Sequence, residues 1–290
     1  MTTQDSQVKL VVTDVDNTLF DWVAIWHASF SALLDGILAV SELPREQVVR
    51  EIRGVHQRVG TSEYAFLLQD LPSLRLTGES DVLATPYATA VSAFRAARAD
   101  AIRLYPGVRE TLLELNRLGI PVVCYTESVT FYTVLRFRWL ELDGLIQVLY
   151  SPQDHSKPEQ VELDKVRRSP SFSYNLVHTA HRLTPEGHFK PEPVVLESII
   201  REFDVEPGAV AYIGDSLSKD VAMAQHVGAI DLHARYGLVQ DKPEYRLLRE
   251  VSHWTDEDVE REKELLRRPE VEASIVLDCF ADLLSKLRIT

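Results

Sequence analysis

The chain has 290 residues, of which 45% are hydrophobic and 26% are charged, and its formal net charge is −13. This length is sufficient for one full-sized hydrophobic core and a second, smaller domain. Because an acidic chain repels phosphate backbones overall, the composition argues against a nucleic-acid-binding protein. It does not argue against a small phosphorylated ligand, which a locally positive pocket could hold.

Cysteine usage and hydropathy bear on the cellular compartment. Cys124 and Cys279 are the only cysteines, and each lies in an apolar run, which is typical of buried thiols in a reducing environment. Continuous apolar stretches fall short of the roughly 18 to 20 residues that span a bilayer. The first seven residues have neither the basic nor the apolar region of a secretory signal. We therefore expect a cytoplasmic protein without a membrane partner.

The first predicted element is a buried strand over Val8–Val15, which is nearly all apolar and rich in β-branched residues. Residues 21–103 then show helical periodicity interrupted by Pro and Gly. The helices predicted in this block are Trp22–Leu38, Arg45–Val59, Tyr64–Leu71 and Tyr87–Ile102. Because the block separates two strands, we expect it to be an inserted helical cap domain.

Strands and helices alternate in the rest of the chain. The predicted strands are Ile120–Tyr125, Ile146–Tyr150, Ala209–Ile213 and Ala229–Ala234. The predicted helices are Pro106–Leu118, Val129–Leu140, Pro193–Phe203 and Lys219–Val227. This alternation predicts an α/β core with a doubly wound parallel sheet, formed by residues 1–20 and 104–290. In such sheets ligands bind beyond the carboxyl ends of the strands.

Two carboxylates follow the first predicted strand, in the segment DVDNT that begins at Asp14. A carboxylate beside a bound cation can act as a nucleophile toward phosphorus. The second carboxylate, Asp16, could then transfer a proton to the leaving oxygen. Taken alone, the segment could also be an ordinary acidic turn after a strand.

Further polar residues follow other predicted elements. Thr126 ends the second strand, and Lys190 precedes a helix; alone, the first could be a helix cap and the second a solvated lysine. The segment GDSLSKD places Asp215 directly after a buried strand and Asp220 at the start of the next helix. Such oxygen ligands suit Mg²⁺. Because most of these residues end parallel strands, their combination predicts one site.

In this combination the chain resembles the haloacid dehalogenase-like (HAD) superfamily of hydrolases. DVDNT matches the first motif of the superfamily, Thr126 the second, Lys190 the third and GDSLSKD the fourth. The resemblance covers roughly residues 7–20 and 104–285. It implies a Rossmann-like core, and the block 21–103 lies where members with a first-type cap insert a helical lid.

The resemblance also implies roles for the motif residues. Asp14 would be the nucleophile that forms a phospho-aspartate, and Asp16 would act first as general acid and then as base. The Mg²⁺ cofactor would be held by the Asp14 carboxylate, the Asp16 backbone carbonyl and Asp215. Asp220 would support Lys190 or metal-bound water from outside the ligand set. The residues that would bind the phosphoryl group are Thr126 and Lys190.

Asp16 separates branches of the superfamily, because 2-haloacid dehalogenases usually lack a carboxylate at this position. Its presence favours a magnesium-dependent phosphatase that acts on a small, soluble phosphorylated metabolite. A phosphotransferase or mutase of the same fold remains an alternative, and a binding protein that has lost turnover or a 2-haloacid dehalogenase is a less favoured one. The sequence identifies neither the substrate nor the oligomeric state.

The predicted helix Arg45–Val59 carries Arg53, His56 and Arg58. These residues could contact an anionic end of the substrate, or they could form the solvated face of an amphipathic helix.

Two other charged or histidine-containing segments invite interpretation. His178 and His181 have a spacing found in metal sites, but no acidic or cysteine partner accompanies them. The better prediction is a surface loop insertion, which also carries His155 and His188. The segment Thr255–Pro269 is dense in charge, which is typical of a solvated helix.

Overall fold

A computed structural model describes residues 7–76, 81–155, 175–258, 260, 264 and 271–289. Its centre is a sheet of parallel strands in the order β4-β3-β2-β1-β5-β6-β7. The strands are β1 Leu10–Thr13, β2 Val122–Tyr125, β3 Val148–Ser151, β4 Ala180–Leu183, β5 Val210–Gly214, β6 Ile230–Ala234 and β7 Ile275–Leu277. The predicted doubly wound α/β fold is confirmed.

Strand β1 lies in the middle of this sheet and is buried on both faces. Val11 pairs with Val122 of β2 on one side and with Ala211 of β5 on the other. Successive β1 side chains point to opposite faces, so Val11 joins one apolar cluster while Leu10 and Val12 join another. Burial on both faces explains the uninterrupted apolar run in the sequence.

Helices cover both faces of the sheet. On one face, apolar residues of α5 Val108–Arg117 and α6 Thr130–Trp139 pack against β1 and β2 together with α10 Leu283–Lys286. On the other face lie α7 Val194–Glu202 and α8 Ala222–Val227. A π-helical turn, Leu217–Val221, leads directly into α8.

The block between β1 and α5 is helical, as predicted. Its helices are α1 Trp22–Ser41, α2 Arg45–Val59, α3 Leu67–Asp70 and α4 Ala88–Ala101. Gly36 of α1 lies so close to α4 that a Cβ there would be 2.4 Å from the Ala90 Cβ, which requires a residue without a side chain.

The apolar cluster of these helices extends beyond residue 103. Tyr245, Leu248 and Val251 belong to the same cluster and come from α9 Tyr245–Val251. A segment far along the chain therefore completes the core of the helical block. The boundary of the cap domain at residue 103 stays a prediction.

Helix α1 has the length and composition of a membrane-spanning helix, with a mean hydropathy of 1.6 over its best window. Its apolar side chains, including Trp26, Phe30 and Ile37, are buried against α2, α4 and α9. This packing is that of a core helix in a globular domain.

Residues 180–183 do not form the predicted surface loop. They form β4, an edge strand that pairs with β3. The distance from His181 Nε2 to the Ser151 hydroxyl oxygen is 2.8 Å. The strand was missed because an edge strand with exposed and half-buried side chains lacks the apolar pattern of a central one. The prediction of a solvated helix over Thr255–Pro269 falls mostly outside the described residues.

Candidate active site

Three of the motif residues lie together because they follow adjacent parallel strands. Asp14 directly follows β1, and its amide donates to the Ile213 carbonyl at 2.8 Å. Thr126 follows β2, and its amide donates to the Tyr150 carbonyl at 3.0 Å. Asp215 directly follows β5. The parallel register therefore brings these side chains to one edge of the sheet, where doubly wound proteins bind ligands.

Lys190 joins this group from the loop between β4 and α7. Its Nζ lies 2.5 Å from Asp14 Oδ1 and 2.8 Å from Asp220 Oδ1. The ammonium group also faces the rings of Tyr125 and Tyr212, with 4.9 Å and 5.8 Å to the ring centroids. A buried cation is thus held at fixed distance from the carboxylate that the resemblance assigns as nucleophile.

Asp220 uses both carboxylate oxygens on protein donors. Oδ1 accepts from Lys190 and from the Tyr212 hydroxyl at 3.0 Å, and Oδ2 accepts from the Ser216 amide at 3.1 Å. The carboxylate packs on Gly214, where a Cβ would lie 2.2 Å from Asp220 Cγ. These contacts fit a residue that orients Lys190 better than a metal ligand.

The carboxylate of Asp215 is placed differently. No other residue in the described ranges donates a hydrogen bond to it, whereas its backbone carbonyl lies 3.0 Å from His233 Nε2. One carboxylate oxygen each from Asp14, Asp215 and Asp220 lies within 4.8 Å of the others. Asp215 and Asp14 therefore have oxygens available for a shared cation.

The pKa shifts in this group follow from burial and from an excess of negative charge. Burial raises the pKa of Asp14 to about 7, although Lys190 opposes the shift. Burial, with Asp14 and Asp220 nearby, raises the pKa of Asp215 well above its usual value. For Lys190, burial is outweighed by Asp14 and Asp220, which raise its pKa. Three carboxylates face one ammonium group, so the charge and donor chemistry of the group fit a divalent cation.

Asp16 is held by residues of α6 and of the loop before it. The Ser128 hydroxyl donates to Asp16 Oδ2 at 2.5 Å, and Arg136 donates from Nη1 to Oδ1 at 3.3 Å. Arg136 is buried and forms a second ion pair with Glu63, which lies between α2 and α3. Asp16 is therefore linked through one side chain to the helical block.

Hydroxyl groups complete the surroundings of Asp14. Thr18 donates to Asp14 Oδ2 at 3.2 Å, so the last residue of DVDNT fixes the orientation of the first. The Thr126 hydroxyl accepts from the Ser128 amide at 3.0 Å, which shapes the turn that leads into α6. Thr126 is buried at the edge of the sheet, next to the end of β1.

Sequence reasoning missed several residues of this site. Glu127 accepts from the Lys190 amide at 2.9 Å and from Lys219 Nζ at 2.6 Å, and so links the second, third and fourth motifs. Its position after Thr126 was the available signal. Gly237 was also missed: a Cβ there would lie 2.0 Å from the Asn17 carbonyl oxygen. The loop after β6 thus packs directly on the first motif.

The three α2 residues predicted as possible substrate contacts, Arg53, His56 and Arg58, have different neighbours. Arg53 pairs with Asp256, and Arg58 pairs with Asp70. His56 is fully buried, and its Nδ1 lies 2.6 Å from the Val251 carbonyl oxygen. Their contacts are therefore with the helical block and its neighbours rather than with the carboxylate cluster.

Comparison with known proteins agrees with this architecture. A model of the haloacid dehalogenase-like hydrolase family matches residues 8–228. No curated protein matches the chain.

Several solved structures have the same fold over nearly the whole chain. A 2-haloacid dehalogenase from Pseudomonas syringae pv. Tomato DC3000 is 18% identical, with a TM-score of 0.53 and coverage of 97% of this chain and 98% of that one. A HAD phosphatase from Thermococcus onnurineus is 18% identical, with a TM-score of 0.52 and coverage of 97% and 100%. A putative beta-phosphoglucomutase from Thermotoga maritima is 18% identical, with a TM-score of 0.52 and coverage of 96% and 97%.

At these identities the likeness concerns the fold alone, and the three relatives differ in activity. The family model, by contrast, matches well over half of the chain. Together with the carboxylate cluster at the edge of the parallel sheet, it identifies the chain as a hydrolase, an enzyme that belongs to the haloacid dehalogenase-like hydrolase family.

Proposed function

We propose that the chain is a magnesium-dependent phosphatase that hydrolyses a small soluble phosphomonoester through a phospho-aspartate on Asp14. The observation that carries the proposal is the excess of carboxylates around Lys190: Asp14, Asp215 and Asp220 against one ammonium group. This excess suits a divalent cation, and a divalent cation together with Lys190 suits a phosphate dianion. A haloacid offers only one negative charge, which a single ammonium group can balance.

In this proposal Mg²⁺ would be held by the carboxylates of Asp14 and Asp215 and the backbone carbonyl of Asp16. When bound, it supplies positive charge to the phosphoryl oxygens. Lys190 and Thr126 bind the phosphoryl group from the protein side. Asp220, whose oxygens are already engaged by protein donors, keeps Lys190 aligned.

The reaction then has two halves. An Asp14 oxygen forms a bond to phosphorus while the bond to the leaving oxygen breaks, and Asp16 gives that oxygen a proton. Asp16, now ionised, takes a proton from water as the water oxygen attacks phosphorus. The bond between phosphorus and the Asp14 oxygen breaks, which releases inorganic phosphate and regenerates the Asp14 carboxylate. Residues 21–103, as the proposed cap, exclude other water from the first half.

The test is release of inorganic phosphate from a panel of sugar phosphates, nucleotides and phospho-acids. We expect release that requires Mg²⁺, disappears with a chelator and is absent in Asp14→Asn. With a ³²P-labelled substrate, rapid quenching should trap label on the protein, and hydroxylamine should remove it as expected for an acyl phosphate.

Other outcomes would change the assignment. Transfer of label to a second hydroxyl without free phosphate would identify a phosphotransferase or mutase. Halide release from a 2-haloacid, with no phosphate released from any ester, would overturn the proposal.

A further inference from the structure

A large cleft lies between the helical block and the sheet domain. Its volume is about 1040 Å³, slightly above the roughly 300–1,000 Å³ typical of small-molecule pockets. One wall comes from α1, α3 and α4, and the other from α6. Residues that define its character are Trp26, Phe30, Phe94, Arg98, Tyr132 and Trp139.

One end of the cleft lies next to Asp16. Glu63 lines the cleft and is ion-paired with Arg136, which also contacts Asp16. Val129 lines the cleft too, and it follows Ser128, whose hydroxyl donates to Asp16. The residue proposed to protonate the leaving oxygen is therefore one side chain away from the cleft. A leaving group that passed Asp16 in this direction would enter the cleft.

Aromatic and apolar residues make up most of the cleft walls, and the charged residues that also line it include Glu63, Arg95, Arg98, Arg138 and Asp154. The Trp26 and Phe30 rings stack with centroids 4.6 Å apart. The Arg98 guanidinium covers the rings of Phe94, Tyr132 and Trp139 at 5.0 to 5.7 Å. A polyhydroxylated leaving group would lose hydrogen bonds to water against these rings, whereas an apolar ring system would bury its own surface favourably.

Two residues that line the cleft carry buried acceptor atoms, His56 on α2 and Gln69 on α3. His56 Nδ1 must donate its proton to the Val251 carbonyl oxygen at 2.6 Å, so Nε2 is the acceptor of a neutral imidazole. Neither His56 Nε2 nor Gln69 Oε1 has a hydrogen-bond partner among the described residues, although both residues are buried and line the cleft. Buried acceptors of this kind require a donor, which a ligand can supply.

We propose that the substrate is the phosphomonoester of an apolar, ring-containing alcohol whose ring system fills this cleft and whose second hydroxyl or amino group donates toward His56 and Gln69. This inference rests on the proposed phosphatase function and adds the class of leaving group. When phosphorus is transferred to Asp14, the departing alkoxide or aryloxide takes its proton from Asp16, and the neutral alcohol remains in the cleft until it dissociates.

The kinetic test compares 1-naphthyl phosphate with glucose 6-phosphate and ethyl phosphate. Because burial of the ring system contributes to transition-state binding, kcat/KM should be at least about 100-fold higher for 1-naphthyl phosphate than for ethyl phosphate. Aryl esters are also intrinsically more reactive, so 2-(1-naphthyl)ethyl phosphate, an alkyl ester, must show the same advantage over ethyl phosphate. A monophosphate of a dihydroxynaphthalene should have the lowest KM, by about fivefold for one added hydrogen bond.

A matched pair of variants places the ring system in the cleft. Ala99 of α4 lines the cleft and is exposed, so Ala99→Trp should fill it without disturbing the fold. Ala93 is exposed on the same helix but outside the cleft wall, and Ala93→Trp is the control. Ala99→Trp should lower kcat/KM for the naphthyl esters by about tenfold or more while sparing ethyl phosphate. Ala93→Trp should leave both unchanged.

Binding of 1-naphthol, followed by its fluorescence, provides a readout without turnover. It should bind the parent and Ala93→Trp, and bind Ala99→Trp at least tenfold more weakly. If no ester is hydrolysed, the proposed function fails. Two outcomes would overturn the cleft assignment while leaving the phosphatase proposal intact. One is equal kcat/KM for ethyl phosphate and the naphthyl alkyl ester, and the other is no effect of Ala99→Trp on either readout. Equal KM values for every hydroxylated isomer would overturn the role given to His56 and Gln69.

Discussion

Arg136 on α6 forms a buried ion pair with Glu63 of the helical block. The same guanidinium contacts Asp16 at 3.3 Å and lies over the Phe20 ring at 5.8 Å. Burial raises the pKa of Glu63, although Arg136 opposes the shift. The Arg136 guanidinium thus connects Asp16, the residue proposed as acid and base, with Glu63. Glu63 lies 47 positions later in the sequence, between α2 and α3.

Removing Arg136 alone should be strongly destabilising. Arg136→Met leaves Glu63 buried beside Asp16 without a cation, and breaking a buried pair in this way typically costs about 3–5 kcal/mol. The double variant Glu63→Met/Arg136→Met should lose less than the sum of the two single changes. Urea unfolding of all four proteins measures this coupling, and additive losses would show that the pair is not an energetic unit.

The role proposed for Asp16 predicts a dependence on the leaving group. An alkoxide needs a proton as the P–O bond breaks, whereas nitrophenolate hardly does. In single-turnover experiments Asp16→Ala should slow the first step for alkyl phosphates by about 10²–10⁴-fold. The loss for nitrophenyl phosphate should be much smaller. If the rate of the first step fell equally for both esters, Asp16 would not be the general acid, although the phosphatase proposal would still hold.

Asp215 and Asp220 should respond differently to the same substitution. Within the part of the chain that the structure describes, no other residue donates to the Asp215 carboxylate, so Asp215→Asn should weaken Mg²⁺ binding by about tenfold or more. Asp220→Asn disturbs the contacts to Lys190 and Tyr212 instead and should mainly raise KM. Titration calorimetry with Mg²⁺ tests the first expectation without turnover. If Asp220→Asn lowered the Mg²⁺ affinity more than Asp215→Asn did, Asp220 would be the metal ligand and Asp215 the residue that supports Lys190.

The stability of the fold should depend on pH through His56. Burial lowers the pKa of His56 from 6.5 to about 4, against the opposing hydrogen bond to Val251. The unfolded chain then binds a proton between these values and the folded chain does not, so stability is full above pH 6.5 and falls as the pH drops toward 4. His56 alone should contribute about 2 kcal/mol to the loss of stability between pH 7 and pH 5.

His56→Asn keeps a donor for the Val251 carbonyl and removes the titration. Urea unfolding at pH 7 and pH 5 should therefore show a smaller loss of stability in this variant than in the parent. The same pH dependence in both proteins would mean that His56 is protonated in the folded state.

Gly237 and Gly54 form a matched pair for a steric prediction. A Cβ at Gly237 would lie 2.0 Å from the Asn17 carbonyl oxygen, whereas one at Gly54 meets nothing within 4 Å. Gly237→Ala should therefore displace the loop of the first motif, cost about 1–3 kcal/mol and reduce activity. Gly54→Ala, inside α2, should stabilise by about 0.5–1 kcal/mol. Wild-type activity and stability in Gly237→Ala would contradict the close approach.

Local sequence patterns were sufficient to predict the parallel sheet and the positions at which polar residues follow its strands. β1, β2 and β5 are short, apolar runs followed at once by Asp14, Thr126 and Asp215. Both features are local: burial on two faces demands an apolar run, and a polar residue directly after such a run reaches the edge of the sheet. The helices within residues 21–103 were predicted from an equally local pattern, the helical periodicity of apolar residues.

Contacts between residues far apart in the chain could not be predicted from these local patterns. The contacts of Glu63 with Arg136, of Glu127 with Lys190, and of α9 with the helical block join segments without a shared local pattern. The edge strand β4 likewise depends on its partner β3 rather than on its own composition. Such contacts are selected by the packing of whole elements, because a side chain's partner across an interface depends on the position of both backbones and leaves no periodic signal in either segment.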